Sequence, residues 1–167
     1  MVNDTTYFDT AVAFIRSLGI TVRFETLPAD TFLPGILIAQ GEIIADKNQL
    51  LFPGDILHEA GHIAVVPAAE RATLHNDNIA NRPFREAEEM MAIAWSFAAT
   101  VHLGIHPYFV FHENGYKGGG PQMADEFIAG RYLGVPMLQF AGMSAEPHQA
   151  FHLGRPAFPQ MAKWLRD

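Results

Sequence analysis

Apolar residues Tyr7, Phe8, Val12, Phe14, Ile15 and Leu18 recur at helical spacing, and Gly19 stands where such a stripe would end. This pattern predicts a helix over residues 5–18. The next segment, ITVRFET (20–26), alternates and is rich in β-branched residues. Two further runs, GILIAQ (35–40) and EIIAD (42–46), flank Gly41. Together the three read as strands of a small antiparallel meander. Pro53-Gly54-Asp55 then forms a turn in which Asp55 is expected to cap a helix over 56–66 by accepting from the His58 N–H, with Pro67 as the stop. Residues 68–83 are polar and Asn-rich and read as a loop. A second long helix is expected over 84–103, closed by Gly104. HENGYKGGGPQM (112–123) reads as a loop and ADEFIAGRYLGV (124–135) as a helix; the Gly- and Pro-broken remainder assigns no element. No internal repeat or domain boundary interrupts the chain. A helix, then strands, then helices argue for an α+β fold in a single domain spanning 1–167.

Composition narrows the chemistry. The 167 residues are 49% hydrophobic, enough for one domain with a sizeable core. Eleven Lys and Arg against 18 Asp and Glu give a formal charge of −7. No basic stripe exists, so neither nucleic acid nor anionic membrane is an expected partner. Cysteine is absent, which removes disulfides, thiolate metal sites, iron–sulfur clusters and Cys nucleophiles. Any metal must be held by His, Asp or Glu. No basic, apolar leader and no run of roughly 20 apolar residues is present, so a soluble, cytoplasmic protein is expected. Asn3-Asp4-Thr5 fits a glycosylation sequon, which carries no weight without secretion.

Within the first of the two long helices, His58-Glu59-Ala60-Gly61-His62 is an HExxH motif. Positions four apart on a helix lie one above the other, so His58 and His62 present both imidazoles to one point. Neutral imidazoles suit Zn²⁺, and two of them need a third ligand to leave one position open. Glu59 cannot easily point at the same metal. It can instead act as general base on a metal-bound water. His102/His106 and His148/His152 share the four-residue spacing, but neither pair encloses a Glu after its first His. Gly104, Pro107 and Pro147 also interrupt or crowd helix there, so these four read as ordinary surface or core histidines, and His75 as a solvated one.

The metzincin extension of the motif needs Gly at 65 and His at 68, where this chain has Val65 and Ala68. The third ligand is therefore sought on the second long helix. Glu86, Glu88 and Glu89 stand at its start, ahead of the apolar run MMAIAWSFAATV. Glu88 shares a stripe with Met91, Trp95 and Ala98, and Glu89 shares one with Ala92, Ile93 and Ser96; periodicity does not separate them. Any two of the three acids also fit a plain role at a helix N-terminus.

A short helix, a small sheet, GD-x-LHE-x-GH and then a Glu-led, alanine-rich helix together resemble the ImmA/IrrE-like metallopeptidases of the gluzincin group. The likeness covers roughly residues 7–103, with HExxH its specific part. It implies a zincin-like fold with a small antiparallel sheet on the HExxH helix, and a Glu at the position of Glu89 as third ligand. Trp95 and Ser96 then fall where the family has its aromatic and first small residue; Ile93 stands where it often has Asn or Asp. No helix-turn-helix module accompanies the motif, so repressor cleavage is not implied.

The loop FHENGYKGGG (111–120) offers His112 and Tyr116 as neutral donors for a developing oxyanion. Its triple Gly is followed by Pro121 and is not a phosphate loop. Met137, Phe140 and Met143 read as core or as a greasy substrate wall. The expectation is a zinc-dependent hydrolase of peptide bonds with a peptide or protein substrate, one Zn²⁺ on His58, His62 and Glu89, and Glu59 as base. Its rivals are a metal-binding regulatory module without turnover, a hydrolase of non-peptide amides, and a metal-free interaction domain.

Overall fold

The computed structural model describes residues 4–167, so Asn3 of the sequon lies outside the described residues. Helix α1 (Asp4–Ser17) is followed by strands β1 (Val22–Phe24), β2 (Ile36–Ala39) and β3 (Glu42–Ala45). Helix α2 (Asp55–Val65) carries the HExxH motif, and α5 (Arg85–Leu103) carries the acidic trio. Between them lie two short helices, α3 (Ala68–Arg71) and α4 (Asn76–Ile79), in the stretch expected to be loop. After α5 come single 3₁₀ turns at Pro107–Phe109 and Tyr116–Gly118, then α6 (Gly120–Ile128), α7 (Val135–Phe140) and α8 (Ala150–Leu153). The fold is mixed α+β. Among the described residues no helix is long and apolar enough to cross a membrane.

The sheet is not the antiparallel meander its sequence suggests. Its order is β1-β3-β2, with β1 parallel and β2 antiparallel to β3. Gln40 and Gly41 both have positive φ (52° and 71°), the backbone of a tight hairpin, and they join β2 to β3. The connection from β1 to β2 is too long for such a turn. Its first residues are instead tied to β3: Glu25 N–H donates to Ala45 O (3.1 Å) and Leu27 N–H to Asp46 Oδ2 (3.0 Å). The unbroken apolar run of β3 fits this central place, since Ile43, Ile44 and Ala45 are all buried.

The two long helices pack face to face at Gly61, where a Cβ would stand 2.8 Å from Ala92 O. The sheet and α1 cover the other sides of α2, and the core centres on Ile56, Leu57, Ile63, Trp95, Phe111 and Phe127. Helix α6 starts earlier than the sequence suggests because Pro121 fits a helix's first turn, and it stops before Gly130 (φ 79°). The segment after α8 returns to the long helices. Trp164 packs edge-on against Phe14 and Trp95, and its carbonyl accepts from Trp95 Nε1–H (2.8 Å). Arg166 N–H donates to Ala64 O (2.9 Å) and its guanidinium to Val65 O (3.3 Å), while Arg71 Nε–H donates to Ile63 O (3.1 Å). The last carbonyls of α2, which no helical turn can satisfy, are met in this way.

Candidate metal centre

His58 and His62 stand one turn apart on α2 with rings edge-to-face (4.6 Å between centroids) and Nε2 atoms 3.1 Å apart. Glu89 of α5 faces both: Oε1 lies 3.5 Å from His58 Nε2, and Oε2 lies 3.2 Å from His62 Nε2. Donors held 2.0–2.1 Å from one tetrahedral ion are separated by roughly 3.3–3.4 Å, so the spacing of these three groups fits such an ion. The chemistry fits too, since two imidazole lone pairs aimed at one spot beside a carboxylate are favourable around a shared cation. Among the described residues, no other set of three His, Asp or Glu side chains converges in this way.

Glu88, the alternative left open by periodicity, is turned to another partner. It is buried and clamped by Arg82, whose Nε–H and Nη2–H reach Oε2 and Oε1 at 2.6 and 2.9 Å. Glu86 is exposed and pairs with Arg85 (3.1 Å). One helical step of about 100° thus separates a structural carboxylate from one that faces the imidazoles.

Burial drives the His58 pKa down to about 3; the charge of His62 adds to this and that of Glu89 opposes it. At His62 burial acts in the same direction, but the hydrogen bond its ring donates to Glu89 and the nearby carboxylates outweigh it, and the pKa is raised. Burial would raise Glu89, yet His62 and His58 bring it below its ordinary value. Burial lifts the Glu59 carboxyl to about 7, opposed by the charge of His62 and reinforced by Asp55 and Glu89.

Tyr116 Oη lies 3.0 Å from His58 Nδ1 with the two rings edge-to-face. If His58 offers its Nε2 lone pair to the centre, Nδ1–H donates and Tyr116 accepts, which leaves the phenol proton free. Burial, reinforced by Glu89, Asp55 and Glu59, holds that phenol well above its usual pKa. Tyr116 and Lys117 both have positive φ (53° and 56°), a strained conformation for side-chain-bearing residues that aims this hydroxyl.

His112 is placed beside the cluster, but differently from the expected free donor. Its Nε2 is 3.0 Å from Asp55 Oδ1, its ring stacks on Phe52 (4.3 Å), and its Nδ1 is buried without a partner. Asp55 is therefore not a side-chain cap. Gly54 takes the N-cap position with no side-chain hydrogen bond, and Asp55 is the first residue of α2. Its carboxyl is raised by burial, with His112 opposing. Sequence reading missed this role, although Asp55, His58, Glu59 and His62 share one helical stripe, a spacing that would have flagged it.

These groups line a cleft of about 960 Å³, with Glu59, His112 and Tyr116 beside the cluster. The other paired histidines take no part. His102 packs against Phe14 and Trp164, and His106 accepts from Tyr108 N–H (3.3 Å). His148, His152 and His75 are exposed. Met143 is buried, Met137 packs on the core, and Phe140 is exposed away from the cleft, so none of the three forms its wall. Ile93 is buried in the core.

No protein-family model, curated protein or solved structure matches this chain. The fold and the cluster define an α+β protein with a His-His-Glu donor set that could hold a metal ion. Any narrower reading rests on the chemistry of its residues.

Proposed function

We propose that the protein is a zinc-dependent peptidase with a zincin-like fold, akin to the ImmA/IrrE-like group, that hydrolyses amide bonds of peptides or proteins inside the cell. The observation that carries this reading is the convergence of His58, His62 and Glu89 in a cleft that also holds an unpaired, buried Glu59. A purely structural site has no use for such a base. Two imidazoles and a carboxylate favour Zn²⁺ over harder ions.

A zinc ion held by His58, His62 and Glu89 would supply Lewis acidity and lower the pKa of a water molecule towards 7. Glu59 takes the proton of the attacking water and delivers it to the leaving nitrogen. Tyr116 fixes the tautomer of His58 through Nδ1 and turns its own O–H towards the substrate carbonyl oxygen as charge develops there. His112 has one nitrogen on Asp55 and the other buried, so it acts as a positioning residue that fixes the cleft wall.

Elemental analysis of purified protein tests this. About one zinc per chain is expected in the wild type and in Glu88→Gln, with loss in His62→Ala and Glu89→Gln. Glu59→Gln should keep its zinc and lose peptidase activity. A wild type that takes up no metal after incubation with zinc overturns the proposal.

A further inference from the structure

Phe32 lies on the rim of the same cleft and is 90% exposed. It is not carried on a slack loop. Gly35 N–H donates to Thr31 Oγ1 (3.1 Å), Ile36 N–H donates to Leu33 O (3.3 Å), and Gly35 (φ 74°) sits so close to the next turn that a Cβ would be 2.4 Å from Leu50 N. The turn over 31–35 is bonded within itself and packed on Leu50, and its Phe32 ring stands in solvent at the cleft rim. Leu33, Pro34 and Ile79 continue the apolar surface, and Phe52, stacked on His112, adds a second ring.

The sheet beside this wall offers little to a substrate backbone. Strand β2 is an edge strand, where an extended peptide would ordinarily add. Its Ile36 N–H is already used by Leu33 O, and its Ile38 N–H by Asn76 Oδ1 (2.7 Å) from α4. With those donors occupied, recognition falls to side chains. On the polar wall, Arg85 is paired with Glu86, so its charge is already met.

We infer that the wall of Phe32, Leu33, Pro34 and Phe52 is the specificity subsite, and that it selects peptides with a bulky apolar side chain at or next to the cleaved bond. The inference rests on the peptidase reading for the words "cleaved bond"; the binding preference itself does not.

The test separates the two. A short fluorescein-labelled peptide with phenylalanine at its centre, and the same peptide with alanine there, are titrated into zinc-loaded Glu59→Gln protein. The phenylalanine peptide should bind about tenfold more tightly, as expected for partial burial of one aromatic side chain. Phe32→Ala in the same background should erase that preference and Phe32→Leu should keep most of it, with both variants retaining the parent Tm and zinc content. Equal affinity for the two peptides, or a preference indifferent to Phe32→Ala, overturns the subsite even if wild-type protein cleaves peptides. A preference that depends on Phe32, with zinc-loaded wild-type protein cleaving neither peptide, upholds the subsite and counts against turnover alone.

Discussion

In the proposed centre Tyr116 would do two things through one oxygen atom, which lies 3.0 Å from His58 Nδ1: accept from that nitrogen and keep a proton for the cleft. Tyr116→Phe removes both without changing the shape of the ring. Zinc affinity should fall about tenfold, measured by chelator competition, because an outer partner that orients a ligand is lost. The remaining activity at saturating zinc should be lower in kcat rather than raised in KM. Away from the cleft, Asp46 accepts from Leu27 N–H (3.0 Å), Gln49 Nε2–H (2.8 Å) and Asn48 N–H (2.9 Å), and these hold its carboxyl below the ordinary value. The folded state therefore binds the ionised form better than the unfolded chain does. That stabilisation is complete above the unfolded pKa of about 3.9 and is lost as pH falls through the lower folded value. Urea melts from pH 5 down to pH 2 should show wild-type stability falling, with a shallower fall in Asp46→Asn.

The elements are held together by one close approach. Gly61 lets α2 and α5 touch, and Ala92, which it touches, is one turn beyond Glu89. Gly61→Ala should destabilise the fold by about 1–3 kcal/mol, the usual size of an overpacked contact. It should also weaken zinc binding, because the two helices that carry the donors must move apart; calorimetry and chelator titration read the two effects. The helices themselves were legible in the sequence, since apolar period, Pro67 and Gly104 mark where they run and stop. HExxH fixed two donors in space for the same reason. The third was not legible from periodicity, because Glu88 and Glu89 each continue an apolar stripe; the family resemblance pointed to Glu89, and in the structure Arg82, six residues upstream of Glu88 and on no shared helix, holds Glu88 away from the imidazoles. The parallel pairing of β1 with β3 was hidden similarly. Alternation within a strand identifies the strand, but its neighbour depends on contacts such as Leu27 to Asp46 that lie 19 positions apart.

At the scale of the whole molecule, the least legible part of the sequence has a large structural role. Residues beyond α8 carry no helical or strand period, yet Trp164 closes the core over Trp95 and Phe14. Trp164→Ala should cost about 2–3 kcal/mol in denaturant unfolding, less than a fully buried tryptophan because its ring is only partly covered. The cap that Arg166 places on α2 spans 101 positions of sequence. On a ribosome adding about 5–20 residues per second, roughly 5–20 seconds separate the synthesis of the two partners. During that interval the Ala64 and Val65 carbonyls of the helix bearing His58 and His62 lack the partners that Arg166 supplies, so α2 gains this part of its C-terminal cap only after that distant residue has been made.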